Sequence, residues 1–236
     1  MRFSLSAHPN LVSANTENNI VGDLLLTCDR NAKYESRRIA MQVSEDDYEL
    51  LFARFVLDLV FPDVKMHDEH RLMFSTWLTP ESAECAMKLF PGSKIVLIVR
   101  DGIATIESRL AHHTLKQGAF EAQCEEWASW NLLYEWMLNR DDCLIIRHEH
   151  LVAGPASTIA SVIEFLGLVE HPAPAAVLEN RQFHPTPASE RPRWQQWSDA
   201  DRQAFERLCA PAMGALGYPI PWLEMDQPAH ACSVSQ

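Results

Sequence analysis

Apolar residues in this chain follow two rhythms, short unbroken runs and stripes at helical spacing. The runs read as strands: Leu11 to Ala14, Leu72 to Trp77, Lys94 to Arg100 and Cys143 to Arg147. The stripes read as helices. Ser44-x-x-Asp47 forms a capping box ahead of Tyr48, Leu51, Phe52, Phe55 and Leu59, and Phe61-Pro62 stops that helix. Thr79-Pro80 reads as N-cap plus first helical residue of a helix running to Leu89. Asp101 caps a helix carrying Ile103, Ile106 and Leu110. Phe120, Cys124, Trp127, Tyr134 and Leu138 make a further stripe, interrupted by Asn131, whose side chain is placed to hydrogen-bond a neighbouring backbone. Gly154-Pro155 opens a helix with Ile159, Val162, Ile163 and Leu166 inward, closed by Gly167. Ser198-x-x-Asp201 caps a last helix bearing Phe205, Leu208, Cys209 and Ala212, which ends at Gly217. The stretch from His171 to Pro192, rich in Pro and Ala, reads as an irregular excursion, and the tail after about residue 222 as loose.

Unbroken apolar strands alternating with amphipathic helices predict an α/β layer fold, a parallel sheet flanked by helices. No linker divides the 236 residues, so a single domain over 1–236 is expected.

Charge narrows the classes of partner. The formal net charge is −12 and the pI about 5.2, a poor match for a nucleic-acid backbone or an anionic membrane. Any anion must therefore meet a local basic cluster. No lysine follows Lys116, which leaves arginine as the cation of the downstream half. The six cysteines include no C-x-x-C pair, which argues against a zinc ribbon. Their scatter, with no leader segment legible, predicts reduced thiols in a cytoplasmic protein, and each reads as a small core residue. No apolar run reaches the roughly 18 residues that span a bilayer.

The chemistry concentrates in "SKIVLIVRDGIATIESRL", Ser93 to Leu110. In an open parallel sheet, ligands bind beyond the carboxyl ends of strands, where Arg100 would stand. The helix behind it offers free N–H groups and a positive dipole end, and Ser108 adds a hydroxyl two turns on. Together these grip a phosphate from two directions. The alternative is a surface Arg100–Asp101 arrangement with Ser108 bonded to its own helix backbone.

An arginine at a strand end, with a serine eight residues on, resembles the 3′-phosphate-binding element of sulfotransferases that use 3′-phosphoadenosine-5′-phosphosulfate (PAPS). Other segments resemble that family in the same order. They are "AHPNLVS" from Ala7, "LTPESAECAMKLFPGSKIVLIVRD" from Leu78, "CLIIRHEHLVAGPASTIASVIEFLGL" from Cys143 and "ERPRWQQWSDADRQAFERLCAPAMGALGY" from Glu190. The match is to the broad bacterial and tyrosyl-protein type. It implies a P-loop-NTPase-like layered fold and transfer of a sulfuryl group from PAPS to a hydroxyl or amine of a small molecule or peptide. It implies no metal. Residue by residue, Arg100 and Ser108 match the 3′-phosphate pair, and Arg191 or Arg193 matches the arginine that closes over the nucleotide. Glu17 lies, with a one-residue offset, where the tyrosyl-protein branch keeps its general base, or else is a solvated loop residue.

Two departures accompany the resemblance. The family's glycine- and arginine-containing phosphosulfate loop is missing, and Met1 would fall within or just behind that loop's helix, so an N-terminally incomplete fold is expected. At the position of the lysine in the family's lysine-x-proline element, ahead of Thr79-Pro80, stands Leu78. The alternative function is thus an N-terminally truncated, catalytically inactive nucleotide-binding or interaction protein. A P-loop kinase or NTPase ranks last, because no G-x-x-x-x-G-K-[ST] occurs.

Overall fold

Two parallel strand pairs organise the chain in the computed structural model, which describes all residues except 18, 35–42, 63–69, 112–119, 181–192 and 226–236. In chain order the elements begin with α1 (Arg2–Leu5), β1 (Leu11–Glu17), α2 (Asn19–Ala32), α3 (Glu45–Val60), β2 (Arg71–Ser75) and α4 (Pro80–Leu89). Then come β3 (Ile95–Val99), α5 (Gly102–Ala111), α6 (Phe120–Trp130), α7 (Leu132–Met137), β4 (Cys143–Arg147) and α8 (His148–Ala153). The chain continues with α9 (Pro155–Leu166), α10 (Ala173–Asn180), a tight turn at Trp194–Gln196, α11 (Asp199–Leu216) and α12 (Pro221–Met225).

β3 and β4 pair in unbroken register, from Ile95 opposite Cys143 to Val99 opposite Arg147. β1 and β2 pair from Leu11 opposite Arg71 to Ser13 opposite Met73, then shift register before Glu17 meets Ser75. All four strands predicted from the apolar runs are present, and parallel pairing bears out the α/β expectation. Contacts group the chain into two units, Met1–Val99 with Leu132–His184, and Arg100–Asn131 with Pro185–Gln236.

In the first unit, side-chain alternation along β3 and β4 supplies two cores at once. Val96, Leu144 and Ile146 join Ile159, Val162 and Ile163 of α9 on one face. Ile95, Leu97, Cys143 and Ile145 join Ala83 of α4 and Leu133 and Met137 of α7 on the other. Period-two alternation with apolar residues on both faces is what a strand pair covered twice requires. A third core links α2, α3 and α4 through Val21, Leu25, Cys28, Val56, Cys85 and Leu89.

Several elements differ from the sequence reading, among them α12, which continues as helix to Met225 where a loose tail from about residue 222 is expected. α2 is not legible in the pattern because Gly22 interrupts it. A Cβ at Gly22 would stand 2.3 Å from the Trp77 carbonyl oxygen, and its N–H donates to Thr76 Oγ1 at 3.1 Å. Tertiary approach of the backbone thus overrides the low helix propensity of glycine. α10 occupies part of the supposed irregular stretch. Pro174 falls in its first turn, where proline is tolerated, and is buried. On α3 Ala53 and Val56 are buried and Tyr48 and Phe52 of the predicted stripe pack against the same core, while Leu51, Phe55 and Leu59 of that stripe are 60%, 50% and 47% exposed.

The second unit contains α5, α6, α11, α12 and the turn at Trp194–Gln196. Its core holds Ile103, Ile106, Cys124, Trp127, Phe205, Cys209, Met213 and Trp222. Among the described residues, no helix is long and apolar enough to cross a membrane.

Candidate anion-binding site

Arg100 and Asp101 separate β3 from α5 in the chain. Asp101 takes the capping role its position predicts. Its Oδ1 accepts the Ala104 N–H at 2.6 Å, and its carbonyl accepts the Thr105 N–H at 3.0 Å and hydroxyl at 2.8 Å. The Gly102 and Ile103 N–H groups are those that no preceding helical carbonyl can accept.

Gly102 fixes where that helix start lies. A Cβ there would come within 3.0 Å of Met213 Sδ on α11 and of the Trp127 ring on α6. Only glycine lets the first turn of α5 sit this close to both helices. Further along, Arg109 is nearly buried and clamps α5 to α6. Its Nη1 and Nη2 donate to the two carboxylate oxygens of Glu126 at 2.9 Å each, and Nη1 also donates to Gln123 Oε1 at 3.2 Å. The guanidinium lies over the Trp130 ring, 4.3 Å from its centre. The sequence reading placed Leu110 inward, yet Leu110 is half-buried and Arg109 holds the core-facing phase. The phase of Ile103 and Ile106, continued by three residues, was the available signal for Arg109.

Ser108 is half-buried on the α5 flank that also carries Asp101 and Ala104, one residue from Glu107. Glu107 Oε1 accepts the backbone N–H of Trp194 at 2.7 Å. This bond holds the segment carrying Arg193 to the turn of α5 that carries Ser108. Arg193 is exposed, and its carbonyl accepts the Gln196 N–H at 2.8 Å as the tight turn begins. The turn is fastened by aromatic packing: Trp194 meets Trp222 at 5.4 Å, and Trp197 meets Phe120 at 4.9 Å and Phe205 at 5.5 Å between ring centres. Arg202 Nη2 adds a bond to the Gln195 carbonyl at 3.2 Å. Arg191 lies outside the described residues.

The structure therefore brings Arg100, Ser108 and Arg193 into one unit. Glu17 belongs to the other, as the last residue of β1 rather than in the loop after it. Glu107 was not singled out by sequence reasoning, because an acid beside an anion site reads as repulsive until its backbone partner is seen.

The residue replacing the family lysine is also placed. Leu78 packs, half-buried, against two cores of the first unit. Thr79 and Ser82 exchange cap bonds, Thr79 N–H to Ser82 Oγ at 2.8 Å and Ser82 N–H to Thr79 Oγ1 at 3.3 Å, as the sequence predicts. Lys88 and Lys94 both have partners of their own. Lys88 bridges Glu45 and Glu49, and Lys94 donates to the Phe165 carbonyl while lying over its ring. Among the tryptophans, Trp127 is core and Trp136 donates to Glu84 at 3.0 Å beneath Arg140. Asn131 Nδ2 donates to the Trp127 carbonyl at 2.7 Å, the neighbouring-backbone bond its position suggested.

Comparison with known proteins gives the family of the chain. A protein-tyrosine sulfotransferase of Drosophila melanogaster is 26% identical over 197 residues, 78% of this chain and 38% of that protein. Protein-tyrosine sulfotransferase 2 of Gallus gallus is 28% identical over 183 residues, 71% of this chain and 47% of that one. The chain thus spans less than half the length of these relatives. A sulfotransferase domain from the Synechococcus PCC 7002 olefin synthase superposes with a TM-score of 0.56 at 17% identity, covering 93% of this chain and 90% of the domain, a likeness of fold. The model of the sulfotransferase family matches residues 1–172. Over nearly three quarters of its length, then, this chain has the pattern of that family, and it belongs to the sulfotransferases.

Proposed function

We propose that this protein transfers a sulfuryl group from PAPS to a hydroxyl or amine acceptor, both units acting as one domain. The observation that carries the nucleotide side is the Trp194 N–H bond to Glu107, which keeps the Arg193 segment on the helix of Ser108. The donor set suits a phosphate monoester: two guanidiniums, one hydroxyl and the leading amides of α5. The two carboxylates in the same stretch, Asp101 and Glu107, each accept a backbone N–H, which moderates their repulsion of an anion.

PAPS, when bound, supplies the sulfuryl group. The chain's part is positioning and charge. Arg100 and Ser108 hold the 3′-phosphate, and Arg193 or Arg191 closes over the nucleotide. Glu17 takes the proton of the attacking hydroxyl or amine, as a carboxylate at a strand end can. Sulfuryl transfer, like phosphoryl transfer, gains from fixed donors rather than from covalent catalysis.

Leu78 favours a second reading, in which the chain binds the nucleotide without turning it over. By the resemblance it takes the position of the family's leaving-side lysine, and a lost donor of that kind costs roughly 10²–10³ in rate. Titration calorimetry with 3′,5′-ADP against 5′-AMP tests the nucleotide site. Preference for the bisphosphate is the expected result, and equal affinity for both refutes the assignment. Transfer of labelled sulfate from PAPS to a panel of phenols, amines and tyrosine peptides then separates the two readings. Tyrosine peptides enter because the relatives are named protein-tyrosine sulfotransferases.

A further inference from the structure

Four of the five cysteines among the described residues lie in two pairs, each joining two packed helices. Cys124 of α6 and Cys209 of α11 have no exposed surface, and Cys209 Sγ donates to the Cys124 carbonyl at 3.6 Å. Cys28 of α2 and Cys85 of α4 are placed differently. Both belong to the core between α2, α3 and α4, and both line a cavity of about 130 Å³ shared with Asp29, Glu49, Glu84 and Lys88. That volume admits water-sized molecules, and its polar lining keeps it wet. One pair is therefore sealed, and the other borders a polar chamber.

We propose that Cys28 and Cys85 form an oxidisable dithiol, converted by hydrogen peroxide or an organic peroxide to a disulfide that ties α2 to α4, while Cys124 and Cys209 stay reduced. The roles within the pair follow from the bond between them. The Cys28 thiol donates to Cys85, which holds the Cys85 thiol below and the Cys28 thiol above their ordinary range. Of the two, Cys85 thus ionises the more readily, and the thiolate is the form that attacks peroxides. Its attack on one peroxide oxygen breaks the O–O bond, leaving a sulfenic acid on Cys85 and releasing water from hydrogen peroxide or the alcohol from an organic peroxide. The Cys28 sulfur then attacks the Cys85 sulfur, the S–O bond breaks and water leaves. Two thiols lose two electrons and two protons, and one peroxide is reduced. The remaining described cysteine, Cys143, does not compete: burial, with the neighbouring Asp142 carboxylate, pushes its thiol up to about 11.

The test uses the full chain, folded, exposed to a few equivalents of hydrogen peroxide, alkylated, and digested with trypsin without reduction. Mass spectrometry is expected to find residues 3–30 linked to residues 72–88, at least about tenfold more abundant than any species joining Cys124 to Cys209. Cys28→Ser should abolish the link and leave a sulfenic acid on Cys85 that dimedone labels, and Cys85→Ser should abolish both. Recovery of Cys28 and Cys85 as separately alkylated peptides after oxidation overturns the proposal. So does equal linkage of Cys124 and Cys209, which would remove the cavity as the source of selectivity. Because the linked peptide is read in the unmodified chain, failure of a variant to fold does not decide the outcome.

Discussion

The backbone N–H of Trp194 donates to Glu107 Oε1 at 2.7 Å, joining residues 87 apart in the chain. Neither residue belongs to the set that sequence matching assigns to the nucleotide. Each neighbours one that does, since Arg193 precedes Trp194 and Ser108 follows Glu107.

Removing that acceptor should therefore loosen the Arg193 segment without touching its charge. A hydrogen bond to a charged group is worth about 1.5–3 kcal/mol, and only part of it is felt in binding. Glu107→Ala is expected to weaken 3′,5′-ADP roughly fivefold to thirtyfold, and Glu107→Gln, which keeps an acceptor, by less. An unchanged dissociation constant in Glu107→Ala would show that the turn is held by its tryptophans alone.

Arg100→Ala should weaken 3′,5′-ADP by about 1.5–3 kcal/mol, the range for a charge-assisted contact, and leave 5′-AMP unaffected. The comparison matters because a general loss of folding would lower both. Calorimetry on each ligand reads the difference. Loss of both affinities would assign Arg100 to the structure of the unit rather than to the 3′-phosphate.

The Arg109–Glu126 clamp should be measurable as a coupling. Arg109 is nearly buried but Glu126 is about half exposed, so the pair lies between the surface and interior cases. A double-mutant cycle of Arg109→Met and Glu126→Gln in urea is expected to give about 1–2 kcal/mol of coupling. A value near zero would make the Trp130 stacking and Gln123 bond the main contributions of Arg109.

Two glycines should respond differently to alanine. At Gly22 the added methyl meets a backbone carbonyl oxygen at 2.3 Å, which cannot rotate away. At Gly102 it meets a thioether and an indole edge at 3.0 Å, which can shift slightly. Gly22→Ala is expected to cost about 3 kcal/mol or more and Gly102→Ala about 1–2 kcal/mol. Thermal or urea unfolding gives the order, and the reverse order would mean that the first turn of α5 is the more rigid site.

If Glu17 is the base, Glu17→Gln should lower turnover at least about a hundredfold while nucleotide affinity stays constant. Equal turnover in both forms, in an assay where transfer is measurable, would end that assignment.

The strand runs, the caps at Ser44, Thr79, Asp101 and Ser198, and the glycine stops at Gly167 and Gly217 were legible in the chain itself. Each depends on residues within a few positions of one another, so local chemistry suffices. The strand-end arginine and the helical serine were legible for the same reason. α2 and α10 were not. Gly22 is explained by a carbonyl 55 residues away, at Trp77, and Pro174 by its place in a first turn that nothing nearby announces. The apolar stripe of α3 was right for Tyr48 and Phe52, which pack on the core, and wrong for Leu51, Phe55 and Leu59, because periodicity gives a helix its faces but not its neighbours.

By itself, then, the sequence determined where strands and helices begin, that the strands pair in parallel within an α/β family, and which residue types could meet a phosphate. Only the tertiary structure decided that Glu107 carries the Arg193 segment, that Arg109 rather than Leu110 faces inward, and that four cysteines form two buried pairs, of which one borders a polar cavity. These are contacts between elements distant in the chain. Their energies depend on distance and burial, quantities with no counterpart in the order of residues.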